Sequence, residues 1–510
     1  MTRFFMTRRF TVGISVVLAC VVWFGSGNLA AKTSLPHLVL VVTDDQRPDT
    51  MGAMGHREIK TPHLDRLVAS GMTFHRAYTG YPICYASRAQ LLTGCNAFTA
   101  LENYPRSQIR PSLATLSRTL GNAGYHTVYS GKWHNDGNPV TRGYHRTAAL
   151  YSAGGAKQVT MPERDSRGMP LTGYRGWTFK SADQQPRLDL GVGLQPDNSR
   201  VIGDAVVEVI HNSPSEQPLF LHVNFAFPHD PRMWPQGMEA AYDAAEISLP
   251  ANFRPDHGFD HGNQGGRDEV LLPRPLDPLQ VQQELAIYYA MISDVDRQVG
   301  RILAAFEQTG RLSNTLFVFT SDQGLALGSH GLLGKQNQYE HSIRSPLVIA
   351  GPRGLCHSAD RFGSTQTTRF VDPEKDSRIA EVLVDTTSDA LVQLSDLFPT
   401  LCDVARVPIP QSVQGKSLVP ILSGEVSNVH EFVYGVFTDT QRMITSKRWK
   451  YIEYPQVGIR QLFDLQNDPD ELVNQAESLQ HQELVQQLQK NLRDWQVRHH
   501  DPALNVIGNR

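Results

Sequence analysis

Two apolar runs that each end in carboxylates restrict this chain more than any other feature. Leu38-Val39-Leu40-Val41-Val42 runs into Thr43-Asp44-Asp45, and Leu316-Phe317-Val318-Phe319 runs into Thr320-Ser321-Asp322. Short apolar runs of this kind read as buried strands. A carboxylate just past such a strand sits where α/β sheets open into ligand crevices. The pattern predicts an α/β fold whose site gathers at strand ends.

Other segments extend the same reading. Leu219 to Phe227 supplies a further apolar strand run, and Thr61 to Ser70 suits a helix after the first strand. Leu285, Tyr288, Ile292, Val295, Val299 and Ile302 recur at three or four residues, one face of a helix leading to the strand before Asp322. Pro231 to Pro278 is rich in Pro, Gly and Asp without periodicity, so it predicts long surface loops. After Gln411 the composition changes. Two brief strands, Phe432 to Phe437 and Trp449 to Tyr454, then a Gln-rich helix predict a small C-terminal α+β domain. No internal repeat supports a solenoid or propeller.

The N-terminus reads as an export signal. Arg3, Arg8 and Arg9 precede the apolar run Val12 to Phe24, and Leu29-Ala30-Ala31 supplies small residues for cleavage. The run is shorter than the roughly 20 residues that cross a bilayer, and Val21 to Phe24 carries it past Cys20, against a lipid anchor. The expected division is 1–31 signal, 32–424 catalytic domain and 425–510 C-terminal subdomain, in a periplasmic or secreted protein. Its 48 basic and 51 acidic residues give no nucleic-acid signature. Cys84, Cys95, Cys356 and Cys402 beyond the signal make no dense disulfide framework and no paired zinc spacing.

Several segments, in order, match one family. Leu40 to Arg47, Cys84-Tyr85-Ala86-Ser87-Arg88 through Gly94, Gly131-Lys132-Trp133-His134, Phe227-Pro228-His229, Thr320 to Gly324 and Gly331 to Lys335 resemble the active-site segments of type I formylglycine-dependent sulfatases. These belong to the alkaline-phosphatase-like superfamily, and the similarity covers nearly the whole mature length. The resemblance implies a sandwich with a large mixed sheet flanked by helices. It also implies hydrolysis of a sulfate monoester. Cys84 resembles the cysteine that a maturation enzyme oxidises to formylglycine, whose hydrate is the nucleophile. Ala86 departs from the usual proline of that motif, and Gln323 from the usual asparagine or histidine.

The chemistry fits these residue types. A sulfate ester repels a hydroxide-like nucleophile, so the site needs a cation and fixed positive donors around sulfur. Asp44, Asp45, Asp322 and Gln323 offer oxygens suited to calcium or magnesium. The resemblance favours Ca2+ and adds Cys84, as formylglycine, to the metal shell. It also gives Arg88 a role in holding the hydrate and a metal ligand, Lys132 an electrostatic role, and His134 contact with the hydrate hydroxyl. We read His229 and Lys335 as binding sulfate and stabilising the leaving group, with His229 the acid. Lys132, His229 and Lys335 form the expected substrate-binding set. His37, His56 and His126 lack a comparable constellation and read as structural. Export favours a sulfated carbohydrate substrate, with Arg142, His145, Arg146 and Arg232 as candidate outer contacts to anionic sugar. Two other classes compete: a phosphate or phosphonate ester hydrolase, which would favour a serine or threonine nucleophile and a second metal set, and a non-catalytic sulfated-glycan-binding protein.

Overall fold

The computed structural model describes residues 1–2, 35–154, 159, 162–214, 216–355 and 382–504. The expected signal segment and Cys356 lie outside them. Leu35–Arg510 forms one compact unit. Its first strands are β1 (His37–Thr43), β2 (Gly71–Phe74), β3 (Ala77–Tyr78), β4 (His126–Trp133), β5 (Arg146–Ser152) and β6 (Thr178–Lys180). Six more follow: β7 (Leu219–Asn224), β8 (Thr315–Ser321), β9 (Arg344–Ser345), β10 (Leu347–Ala350), β11 (Thr386–Ser388) and β12 (Val392–Gln393). The last four are β13 (Val433–Phe437), β14 (Gln441–Thr445), β15 (Trp449–Tyr454) and β16 (Ile459–Asp464).

Nine strands make one mixed sheet in the order β11-β2-β10-β8-β1-β7-β4-β5-β6. Its centre, β8-β1-β7-β4-β5, is parallel throughout. The apolar run in β1 has a direct cause. Leu38, Leu40 and Val42 pack into one core and Val39 and Val41 into another, so both faces of the strand are covered. The Pro278–Gln308 helix covers the second face through Val295, Val299 and Ile302, while Ala86 and Ala89 of the Cys84–Thr93 helix enter the first core.

Register then places the chemistry. Thr43 of β1 pairs with Ser321 of β8, so Asp44 and Asp322 leave adjacent parallel strands at the same level. Val42 pairs with Asn224 of β7, and Gly131 of β4 pairs with Asn224 in turn. Gly131 sits at a register shift between β4 and β5 with φ +90°, and a Cβ there would fall 1.8 Å from the Asn224 carbonyl oxygen. Only glycine lets β4 approach β7 that closely and carry Lys132 to the same end.

Pro231–Pro278 is almost wholly irregular, with a single 3₁₀ turn at Ala244–Glu246. The C-terminal region is larger in sheet than expected: β13-β14-β15-β16 is a four-stranded antiparallel sheet packed on the Gln482–Arg498 helix. Among the described residues no helix is long and apolar enough to cross a membrane.

Candidate active site

Asp44 and Asp45 are consecutive yet serve one cavity because Asp45 adopts φ +68°. Aspartate tolerates this left-handed turn better than most residues, and the Asp45 N–H donates to Asp322 Oδ1 at 3.1 Å. Tyr288 reaches up from the Pro278–Gln308 helix and donates to the Asp45 carbonyl at 2.6 Å. Oxygens of Asp44, Asp45 and Asp322 lie within 4.8 Å of one another, all buried.

Cys84 is the first residue of the Cys84–Thr93 helix and is 1% exposed. Its Sγ stands 3.2 Å from Asp44 Oδ1, 3.9 Å from Asp45 Oδ1 and 3.2 Å from Gln323 Nε2. Burial pushes the Cys84 thiol well up, and the Asp44 carboxylate adds to the shift. Cys84, Cys95 and Cys402 are free thiols. One helical turn on, the Arg88 guanidinium donates from Nε to Asp322 Oδ2 at 2.9 Å and from Nη1 to Asn224 Oδ1 at 2.6 Å. Its Nη2 lies 3.6 Å from Asp44 Oδ1.

Two lysines pair with different carboxylates of the shell. Lys132 Nζ is 2.5 Å from Asp44 Oδ2, with the Tyr174 ring 5.2 Å away, and Lys335 Nζ is 2.7 Å from Asp45 Oδ2. Glu269 fixes the turn before Lys335 by accepting from the Leu333 and Gly334 N–H groups. Tyr174 donates to Asp44 Oδ2 and lays its ring 4.7 Å from that of His229.

His229 Nδ1 faces two acceptors, the Asp230 carbonyl at 2.6 Å and Asp230 Oδ1 at 3.1 Å, so Nδ1 carries the hydrogen. Nε2 points to Arg267 Nη2 at 3.3 Å and Asp45 Oδ2 at 3.7 Å. Burial, then the Lys335 charge, pull the imidazole down to about 3, so an acid role requires a second proton on Nε2. His134 follows β4, packs edge-on against Trp177 at 5.2 Å and has a buried Nδ1 without a partner among the described residues.

The cluster fits a hard cation. Burial drives the Asp45 carboxyl up to about 7 despite Lys335, with Asp44 and Asp322 adding to the rise. Asp322 rises to about 6 by burial and Asp44, against Arg88. Asp44 is also opposed by burial, yet Lys132, His229 and Arg88 hold it well below the carboxylate range. Three carboxylates this close repel one another even with Lys132, Lys335 and Arg88 beside them, and a bound cation would relieve that repulsion. Gln323 adds a second sign: Nε2 donates to Asp45 Oδ1 at 2.5 Å, while Oε1 is buried without a partner among the described residues. Only that oxygen of the amide can ligate a cation.

The predicted residues Asp44, Asp45, Cys84, Arg88, Lys132, His229, Asp322, Gln323 and Lys335 therefore meet, with His134 at the margin. Asn224, Tyr174, Asp230, Arg267 and Asp268 complete the surroundings and were not anticipated. Arg232 is not an outer contact: it is 3% exposed and donates to Glu284. A guanidinium with a buried carboxylate partner is held in the wall rather than offered to a sugar. Arg142 pairs with Asp136, and His145 bonds the Thr127 hydroxyl at 2.8 Å.

A family model described as Sulfatase matches residues 36–407, and one described as N-sulphoglucosamine sulphohydrolase, C-terminal, matches 379–498. An arylsulfatase of Clostridium perfringens is 28% identical over 90% of this chain and 93% of its own. A protein solved in complex with its substrate D-glucosamine-2-N,6-O-disulfate superposes with TM-score 0.72 at 21% identity, covering 92% of this chain and 99% of that one. A phosphonate monoester hydrolase of Agrobacterium radiobacter follows at TM-score 0.67 and 21% identity, covering 91% and 96%.

Proposed function

The chain belongs to the sulfatase family and is a sulfuric ester hydrolase; on that premise we propose that it removes sulfate from an exported sulfated carbohydrate, using formylglycine made from Cys84 and one bound Ca2+. The observation that carries this reading is the meeting of the Cys84 sulfur with three carboxylates, two lysines and Arg88 in one buried cluster.

Asp44, Asp45, Asp322 and the Gln323 carbonyl would hold the cation, with the modified residue 84 beside them. When present, the aldehyde hydrate supplies a nucleophile that the thiol lacks, and the cation supplies Lewis-acid charge at its oxygen. The rest of the work falls to the chain's own side chains. Arg88 locks Asp322 and Asp44 relative to residue 84 through its separate nitrogens. Lys132, held on Asp44, and Lys335, held on Asp45, offer fixed charge to sulfuryl oxygens, which costs no reorganisation during reaction. His229 turns Nε2 towards the same space, where it contacts the sulfate or the departing oxygen. His134 offers its partnerless Nδ1 to the proton released when residue 84 is regenerated. Tyr174 and Trp177 pack edge to face at 4.9 Å beside Asp44 and His134.

Phosphonate ester hydrolysis is the second reading, favoured by the structural likeness to the phosphonate monoester hydrolase. The test combines intact-mass analysis of residue 84 with release of sulfate from defined mono- and disaccharide sulfates, before and after chelation. Matched phosphonate esters run in parallel. The proposal expects aldehyde at residue 84, faster sulfate release and loss of both activities on chelation. Active protein with unmodified Cys84, or turnover confined to phosphonates, overturns it.

A further inference from the structure

Asp45 belongs to a closed ring in which three carboxylates alternate with Lys335, Arg267 and the His229 imidazole. Asp45 Oδ2 meets Lys335 Nζ at 2.7 Å, and Lys335 Nζ meets Asp268 Oδ2 at 3.5 Å. Asp268 Oδ1 pairs with Arg267 Nη2, and Arg267 Nη1 donates to Asp230 Oδ2 at 2.6 Å. Asp230 Oδ1 holds His229 Nδ1 at 3.1 Å, and His229 Nε2 returns to Asp45 Oδ2 at 3.7 Å. Five members have side chains no more than 6% exposed. Arg267 alone is 36% exposed.

We propose that Arg267 is a specificity-determining residue that binds a hydroxyl on the sugar carbon next to the sulfated one. The proposal rests on the sulfatase reading above and names what its leaving group must carry. Three observations point the same way. Arg267 Nη2 lies 3.3 Å from His229 Nε2, the atom that the sulfatase reading turns towards the ester, so the guanidinium borders the space that reading gives to the leaving group. The Arg267 Nε–H has no hydrogen-bond partner among the described residues, which leaves a donor for a ligand at a partly exposed position. The ring sets three carboxylates against Lys335, Arg267 and one imidazole, so the vertex holds no surplus positive charge for a second sulfate or carboxylate. A neutral hydroxyl, donor and acceptor at once, fits a guanidinium backed by carboxylates. Arg267 sits in an irregular loop anchored at Asp230, Asp268 and Thr172, so its place is fixed by charge rather than by a helix or strand.

The test takes the monosulfated monosaccharide that the mature wild-type enzyme turns over fastest, with its deoxy counterparts at each neighbouring carbon. Wild type and Arg267→Met are compared on all of them at equal formylglycine occupancy. A hydrogen bond to a charged group corresponds to about 10- to 150-fold in kcat/KM. Wild type is expected to prefer one hydroxylated substrate over its deoxy form by that factor, mainly through KM. In Arg267→Met the preference falls to within about threefold. A residue that only steadied His229 and Lys335 would slow both substrates equally and leave the preference intact, which overturns the proposal. So does a wild type indifferent to every neighbouring hydroxyl, or one that cleaves aryl but no sugar sulfates. A wild type that cleaves no sulfate ester defeats the underlying reading instead. Should Arg267→Met fail to fold, Arg267→Lys decides: one ammonium cannot reproduce the fork of donors, so the preference must still shrink severalfold.

Discussion

Asn224 gives the sharpest test of how the site is held, because a single atom of it matters. It ends β7, is 1% exposed, and its Oδ1 accepts from Arg88 Nη1 at 2.6 Å while its Nδ2 is partnerless among the described residues. Asn224→Leu keeps the approximate shape and removes the acceptor, together with a donor that has no partner among the described residues. A hydrogen bond to a charged group is worth about 1.5–3 kcal/mol. If the productive arrangement of Arg88, Asp322 and Asp44 needs that bond, kcat/KM falls about 10- to 150-fold. The same free energy lowers the melting temperature by only about 1.5–3 °C, since unfolding entropy of ~2.1 cal/mol/K per residue amounts to about 1 kcal/mol/K over a unit of this size. Sulfate release and thermal melting are read on protein whose residue 84 is matched to wild type by intact mass. Asn224→Asp restores an acceptor and should return activity to within about tenfold of wild type. Activity of Asn224→Leu within threefold of wild type, or no recovery in Asn224→Asp, would refute the reasoning.

Asp322→Asn removes one of the clustered negative charges and should weaken Ca2+ binding at least 30-fold by calorimetry, since unit charges about 4–5 Å apart interact by roughly 3–4 kcal/mol near an effective dielectric of 20. Unchanged affinity would take Asp322 out of the metal shell. His229→Ala should slow sugar sulfates about 10²- to 10⁴-fold and activated aryl sulfates distinctly less; equal proportional losses assign His229 to sulfate binding alone. Away from the site, Arg442 Nε and Nη2 grip Asp501 at 2.6 and 2.7 Å with both side chains fully buried. Asp501→Asn should cost about 3–5 kcal/mol in denaturant titrations by stranding Arg442. Burial opposes the Asp501 charge, but the Arg442 bonds prevail and lower its carboxyl, so this stabilisation is complete above about pH 4 and is lost as pH falls through the folded-state value. A variant whose acid unfolding midpoint matches wild type would contradict that assignment.

The α/β class, the buried strands and most of the site were readable because strand burial and strand-end chemistry are both local patterns. Asp44, Asp45 and Asp322 each follow a run that both faces of the sheet bury. Asn224 carries the same signal at the end of β7, and attention to charged residues alone passed over it. Arg267, Asp268 and Tyr174 had no such signal. They belong to irregular segments whose course is fixed by partners distant in sequence, such as Asp230 for Arg267 and Asp44 for Tyr174. The missed strand β14 hides for a different reason. Gln441 and Arg442 are fully buried there through specific hydrogen bonds, so polar residues occupy positions that a strand pattern expects to be apolar. Arg232 shows the converse error, a charge taken for surface because its partner Glu284 lies on a distant helix.

The enclosure of Cys84 also sets a timetable. Its sulfur is covered by a residue made late: Gln323 follows it by 239 positions. At about 5–20 residues per second of synthesis, roughly 10–50 seconds separate the two. If residue 84 is oxidised as proposed, the oxidising enzyme needs it in the open, and that condition ends when the strand before Gln323 docks beside β1. On that proposal the supply of active protein is a race between a reaction on an unfolded segment and the arrival of a distant strand, so altering the pace of synthesis or folding between the two positions changes yield without touching a single residue of the site.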